Sequence, residues 1–168
     1  AYYDGALGSE SALFSKNYKN KNHNGIKTET VTSGDLARLA AEIDKHGGQL
    51  VIHAIGDLAV TEVLNLYESL IKDNGIKKRR HRIEHAQHIT GKDLQRFIMY
   101  DVIASVQPLH LKYDIDIVKE KLPEELIGTT HIYKKLMDLG GIVNFGTDFP
   151  IVEVNPFENI QMAKTRRS

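Results

Sequence analysis

The sequence contains no cysteine, which excludes disulfides and thiolate metal sites and leaves histidine and carboxylates as the ligands on offer. It also lacks any excess of charge. The 22 Lys and Arg residues are matched by 22 Asp and Glu, so nothing steers the chain as a whole toward nucleic acid or an anionic membrane. No stretch comes near the roughly 18 apolar residues of a membrane span, and the first residues do not read as a signal peptide. A glycine-rich phosphate turn is missing too: no candidate strand is followed by G-x-G-x-x-G or a P-loop. The one basic cluster, Lys77 to Arg82, reads as a solvated loop. These exclusions predict a cytoplasmic protein with no nucleic-acid and no membrane partner.

What is present is a regular alternation. The chain has 168 residues, of which 41% are hydrophobic, enough for one domain with a real core. Residues 1–3 read as a strand tail, and 16–25 as a polar loop with no core to join. From Ser33 a helix carries Leu36, Leu39, Ala40 and Ile43 on one face and stops at Gly47-Gly48. Strand candidates follow at 49–54, 81–86, 102–107 and 142–146, separated by helices from Asp57 to Asn74, after a Thr90 cap, and around Tyr133 to Met137. Leu109 to Thr130 reads as a long charged connection, and Pro156 as the first turn of a last helix. Strands alternating with helices at this spacing predict parallel βα units with both sheet faces covered. Four strands plus a stub amount to about half of an eight-stranded (β/α)8 barrel.

Three polar residues stand where strands end: His53, His85 and Asp148. His53 and His85 are 32 residues apart, and His85 and Asp148 are 63 apart. One βα unit takes roughly 30 residues or a little more, so the three occupy equivalent places in units one, two and four and converge on one barrel mouth. Two neutral imidazoles and a carboxylate suit Zn²⁺, Fe²⁺ or Mn²⁺, and Asp148 could move a proton as general base and then acid. Strand alternation puts His81, Ile83 and His85 on one face, expected to be the barrel interior, and Arg82 and Glu84 on the helix side.

Five strings carry a resemblance: Asp4-Gly-Ala-Leu-Gly-Ser, His53-Ala-Ile-Gly-Asp, Arg80-His-Arg-Ile-Glu-His-Ala-Gln, Ala104-Ser-Val-Gln-Pro-Leu-His and Gly146-Thr-Asp-Phe-Pro. In this order, from residue 4 to about residue 167, the chain resembles the YtcJ-like branch of the amidohydrolase superfamily, amidohydrolase family 3. The resemblance implies a metal-dependent barrel hydrolase of non-peptide C–N bonds, of amide, N-acyl or N-formyl type, with one or two divalent ions, zinc first. It implies His53 and His85 as metal ligands on strands five and six, and Asp148 as metal ligand and catalytic aspartate on strand eight. Gln107 and His110 become substrate contacts at the exit of strand seven, and Asp57 a helix cap.

The chain departs from that pattern in three places. It has no His-x-His pair, it has no arginine shortly after Gly128, and the lysine expected on strand four would lie before Ala1. Residues 1–168 are therefore expected to form a single partial barrel domain, a piece of a longer enzyme that is inactive alone and prone to self-association through open sheet edges. The competing reading is a non-enzymatic βα module retaining polar remnants.

Overall fold

Four short runs, each with at least one β-branched residue, pair in chain order. In the computed structural model, which describes residues 1–167, they are β1 (Val51–Ala54), β2 (Arg82–His85), β3 (Ile103–Val106) and β4 (Val143–Phe145). All are parallel, ordered β1-β2-β3-β4. Tyr2 adds the expected stub by bridging to His53 on the outer edge of β1. The fold is thus α/β with a parallel sheet, as expected for part of a barrel.

The helices are α1 (Glu29–Thr32), α2 (Asp35–Lys45), α3 (Asp57–Asn74), α4 (Gly91–Met99), α5 (Leu111–Lys121), α6 (Glu124–Ile127), α7 (Tyr133–Asp138) and α8 (Pro156–Thr165). Thr90 caps α4 through the Asp93 amide, and Asn155 caps α8 ahead of Pro156. α3 buries Ala59, Val60, Val63, Leu64, Tyr67 and Leu70 along one stripe, the spacing of a helix packed on a sheet. None of these helices is long and apolar enough to cross a membrane.

Three expectations need correction. The stretch after Leu109 is largely helical, because Leu111, Val118 and Leu126 each find a buried site at helical spacing. The polar loop does have a core to join: Tyr18 is buried with Phe14, Ile55, Leu122 and Leu126, and its hydroxyl donates to the Ala12 carbonyl at 2.8 Å. On α2 only Leu36 and Ala40 face inward, while Leu39 and Ile43 are exposed.

The sheet faces are also reversed from the alternation argument. Ile52, Ile83, Ala104 and Val143 are register partners across the four strands, and the first three are buried against the helices. The opposite row, His53, Glu84, Ser105 and Asn144, faces away from them; Asn144 Nδ2 donates to Ser105 Oγ at 3.1 Å along it. Arg82 and Glu84 therefore pair on this face, at 2.5 Å, not under the helices. Helices cover one face only, because the inner face of a barrel meets other strands and not helices.

At the amino ends of the strands, Asp44 closes the layer between sheet and helices. It is fully buried and accepts hydrogen bonds from Arg79 at 2.6 Å and Asn74 at 2.8 Å. His81 Nδ1 accepts from the Leu50 amide at 3.1 Å, so the proton sits on Nε2, which donates to Asp44 at 3.0 Å. The basic cluster is therefore only partly solvated, since Arg79 is consumed in this pair.

Burial holds His81 below the ordinary imidazole range and takes the wholly buried His88 down to about 3. Burial pushes Asp44 up, but Arg79, Asn74 and His81 together win and hold it below the usual carboxylate value. All three groups work in one direction. The unfolded histidines take up a proton near pH 6.5 while the folded ones stay neutral, so their contribution is complete above about pH 6.5 and is lost as pH falls. Asp44 adds a further loss below about pH 4. Unfolding should therefore show stability falling from pH 7 to pH 4 by up to about 1.4 kcal/mol per pH unit for each of these histidines, offset between about pH 6 and pH 4 by the buried Asp4, whose raised carboxyl works in the opposite direction. His81→Gln should flatten part of that slope.

Candidate metal centre

The carboxyl ends of the four strands open into a cleft of about 530 Å³ lined by His53, Glu84, His85, Gln107, His110 and Asp148, among others. All five residues singled out from the sequence are therefore brought together. They arrive by different routes. His53 reaches the cleft by ordinary alternation, one row with Glu84. His85 has the wrong parity: its register partner is Ala54, which is buried. It enters because its backbone turns to φ +70° at the strand end, followed by Ala86 at +43°. For residues with a Cβ, this left-handed geometry is costly and persists where the surroundings impose it. Asp148, on the loop after β4, also has a positive φ of 58°.

Within the cleft the donor atoms of His85, His110 and Asp148 lie within 4.8 Å of one another. His85 Nδ1 and His110 Nε2 are buried and have no hydrogen-bond partner among the described residues. An unsatisfied buried nitrogen is costly, and two of them beside a carboxylate form a donor set that fits a divalent cation of borderline softness. Burial first, then the neighbouring His53 and His110, hold His85 down to about 3. It is therefore neutral across the physiological range, the state a ligand needs.

His53 stands against His85, ring centroids 4.5 Å apart at 72°, but outside that triple. Its Nε2 faces the Gly5 carbonyl at 3.2 Å and Asp4 Oδ1 at 3.5 Å. The proton accordingly belongs on Nε2, leaving Nδ1 as the free lone pair. Burial holds His53 below the ordinary imidazole value. His110, expected as a substrate contact, is the residue the geometry groups with His85 and Asp148; it ends the 3₁₀ turn Pro108–His110.

Asp4 is the residue to which the sequence reading assigned no role. It is buried, and accepts from the amides of Leu13 at 2.9 Å, Ile55 at 3.1 Å and Gly56 at 2.9 Å. Burial outweighs these bonds and raises it to about 6. The available signal was its place in the first of the five strings. Asp57 is not the cap expected of it: Gly56 holds the N-cap position of α3 with no side-chain cap bond, and Asp57, the first helical residue, accepts from the Leu58 amide and from both the amide and hydroxyl of Ser15. The segment after Gly128 carries His131, whose Nε2 comes within 3.6 Å of Asp114 at the rim of the cleft. Neither Asp114 nor Glu84 was expected at the site.

Comparison with known proteins agrees with this picture. A family described as the amidohydrolase family matches residues 1–168. Protein LONG AFTER FAR-RED 3 of Arabidopsis thaliana is 39% identical over 168 residues, covering 99% of this chain and 28% of its own length. The amidohydrolase-like protein YtcJ of Bacillus subtilis is 33% identical, covering 99% of this chain and 31% of its own. Among solved structures, a metal-dependent hydrolase of Pyrococcus horikoshii superposes with a TM-score of 0.84 at 30% identity, over 98% of this chain and 32% of that one. One from Pyrococcus furiosus gives 0.82 at 27% identity, over 96% and 32%. The chain thus spans about a third of the length of these relatives.

Gly56 is where the first loop and the β1–α3 junction approach most closely. A Cβ there would collide with the Leu13 carbonyl. Gly56→Ala should lower stability by about 1–3 kcal/mol and accelerate hydrogen exchange at the amides of Leu13 and Ile55, measured by denaturant unfolding and exchange mass spectrometry.

Proposed function

The chain belongs to the amidohydrolase family, and from that footing we propose that it forms one wall of a metal-dependent centre that hydrolyses non-peptide C–N bonds of amide, N-acyl or N-formyl type. The observation that carries the reading is the grouping of donor atoms of His85, His110 and Asp148 within 4.8 Å of one another, with one buried, unpartnered nitrogen on each imidazole. These three residues would hold the cation, zinc being the first choice for a nitrogen and carboxylate set. His53, which lines the same cleft and has Nδ1 left as its free lone pair, supports the same reading as a further donor. When bound, such a cation supplies Lewis acidity to a carbonyl and lowers the pKa of water to about 7.

The chain's own residues supply the rest. Asp148 is exposed at the cleft mouth and can take a proton from the attacking water and return it to the leaving nitrogen. Gln107, whose Nε2 donates to the Ser105 carbonyl at 3.1 Å, is held with its side chain at the cleft wall as a substrate contact. Asp4 fixes the tautomer and position of His53 through Gly5. By this reading the 168 residues hold only part of the ligand set, so the isolated chain binds metal weakly and turns over little. Cobalt titration followed by visible absorption tests both parts. His85→Ala and His110→Ala should each weaken binding by about tenfold or more, in the range seen when metal-site residues are removed. Ion retention in chelator together with amidase turnover by the chain alone would overturn the incomplete-centre part, and unchanged cobalt affinity in both variants would overturn the site.

The same reading extends to assembly. β4 has a free edge, with Ile142, Phe145, Phe149 and Ile151 exposed beside it, the kind of surface that recruits another chain. The isolated chain should self-associate; a monodisperse monomer in light scattering at micromolar concentration would contradict this.

A further inference from the structure

A second, smaller pocket of about 160 Å³ adjoins the cleft, lined by His110, Tyr113, Asp114, Ile151 and Val152. Three of these, His110, Asp114 and Ile151, line both cavities, so the small pocket opens off the site and shares its wall. Its chemistry is uneven. One carboxylate stands among an aromatic ring and two aliphatic side chains.

Asp114 is held in place but not neutralised. Oδ2 accepts from Gln87 Nε2 at 3.0 Å. His131 Nε2, at 3.6 Å, is too far for a hydrogen bond and has no other partner. Burial keeps His131 below the ordinary imidazole range, so it brings no full charge. Among the described residues no Lys or Arg lies within ion-pair distance of Asp114, no donor reaches its Oδ1, and no Lys or Arg side chain lines either cavity. A carboxylate whose side chain is 19% exposed, fixed on one oxygen and open on the other, is preorganised to accept a charge-assisted hydrogen bond. The adjoining Tyr113 ring already carries a cation, with Lys112 Nζ 5.8 Å from its centroid.

We infer that this pocket is a recognition subsite in which Asp114 takes the ammonium or guanidinium end of a substrate, while Tyr113, Ile151 and Val152 take the aliphatic stem that joins it to the scissile group. The inference rests on the cleft being the hydrolytic centre proposed above and names its substrate class: N-acylated amines that keep a second, cationic end. The volume has room for about five water-sized groups at roughly 30 Å³ each, the bulk of a butyl or pentyl ammonium. Asp114 is a specificity residue here and takes no part in bond breaking.

The test compares N-acetyl-1,5-diaminopentane with N-pentylacetamide, the same stem without the charge. Binding of each to the metal-free 168-residue chain is followed by NMR titration, reading the side-chain amides of Gln87 and Gln107. The cationic amide should bind about tenfold tighter, the worth of one charge-assisted hydrogen bond. Asp114→Asn keeps an acceptor for Gln87 and should erase the difference while leaving the neutral amide unchanged. Val152→Phe, which adds bulk to the pocket lining, should weaken both. Equal affinities, a preference that survives Asp114→Asn, or no detectable binding of either amide would overturn the subsite. Cobalt affinity is scored separately: a cationic preference in a chain whose cobalt affinity is unchanged by His85→Ala and by His110→Ala would sink the metal-centre reading and leave the subsite standing.

Discussion

The mouth of this sheet depends on one buried carboxylate. Asp4 gathers three backbone amides, from Leu13, Ile55 and Gly56, and sits 3.5 Å from His53. A single side chain thereby ties the first loop to the end of β1, to the start of α3 and to the nearest imidazole of the site. An acidic group buried this deeply resists ionising, and here burial prevails over three hydrogen bonds. The arrangement exchanges electrostatic ease for position. Without that anchor the loop carrying Gly5 has no reason to face His53, and the tautomer of His53 is unspecified.

The other end of the sheet is closed by the same device with a different balance. Asp44 is equally buried, but Arg79, Asn74 and His81 surround it and carry its charge. It serves stability alone, at the end of the strands where a barrel needs no chemistry. At the Asp4 end, the charge-bearing groups are left incomplete: among the described residues His85 Nδ1, His110 Nε2 and the second oxygen of Asp114 have no hydrogen-bond partner. Polar groups satisfied at one end and open at the other mark the working face of the sheet.

The two faces show how local and global constraints divide the labour. Ile52, Ile83 and Ala104 align across neighbouring strands and pack on α3 and its neighbours. That alignment sends Arg82 and Glu84 to the open face by simple alternation. Alternation would also bury His85, and the backbone overrides it with a positive φ at the last strand residue. That conformation is uncommon for a residue with a Cβ, and the ring it carries lines the cleft.

The sequence by itself determined a great deal. The repeat of strand and helix, the phase of His53, His85 and Asp148, the cap at Thr90, the helix start at Pro156 and the family strings were all legible, because each rests on local spacing or on residue type. The open row of the sheet was misassigned, since parity read from one end of a strand says nothing about which side meets helices. Only the tertiary structure decided that, along with the helical nature of 111–127, the burial of Tyr18, and the grouping of His110 with His85 and Asp148. Asp4 and Asp114 were invisible as site residues for the same reason: their partners lie 9 to 52 residues away for Asp4 and 27 for Asp114. A contact over that distance has no local pattern, and it exists only once the chain has closed the loop that makes it.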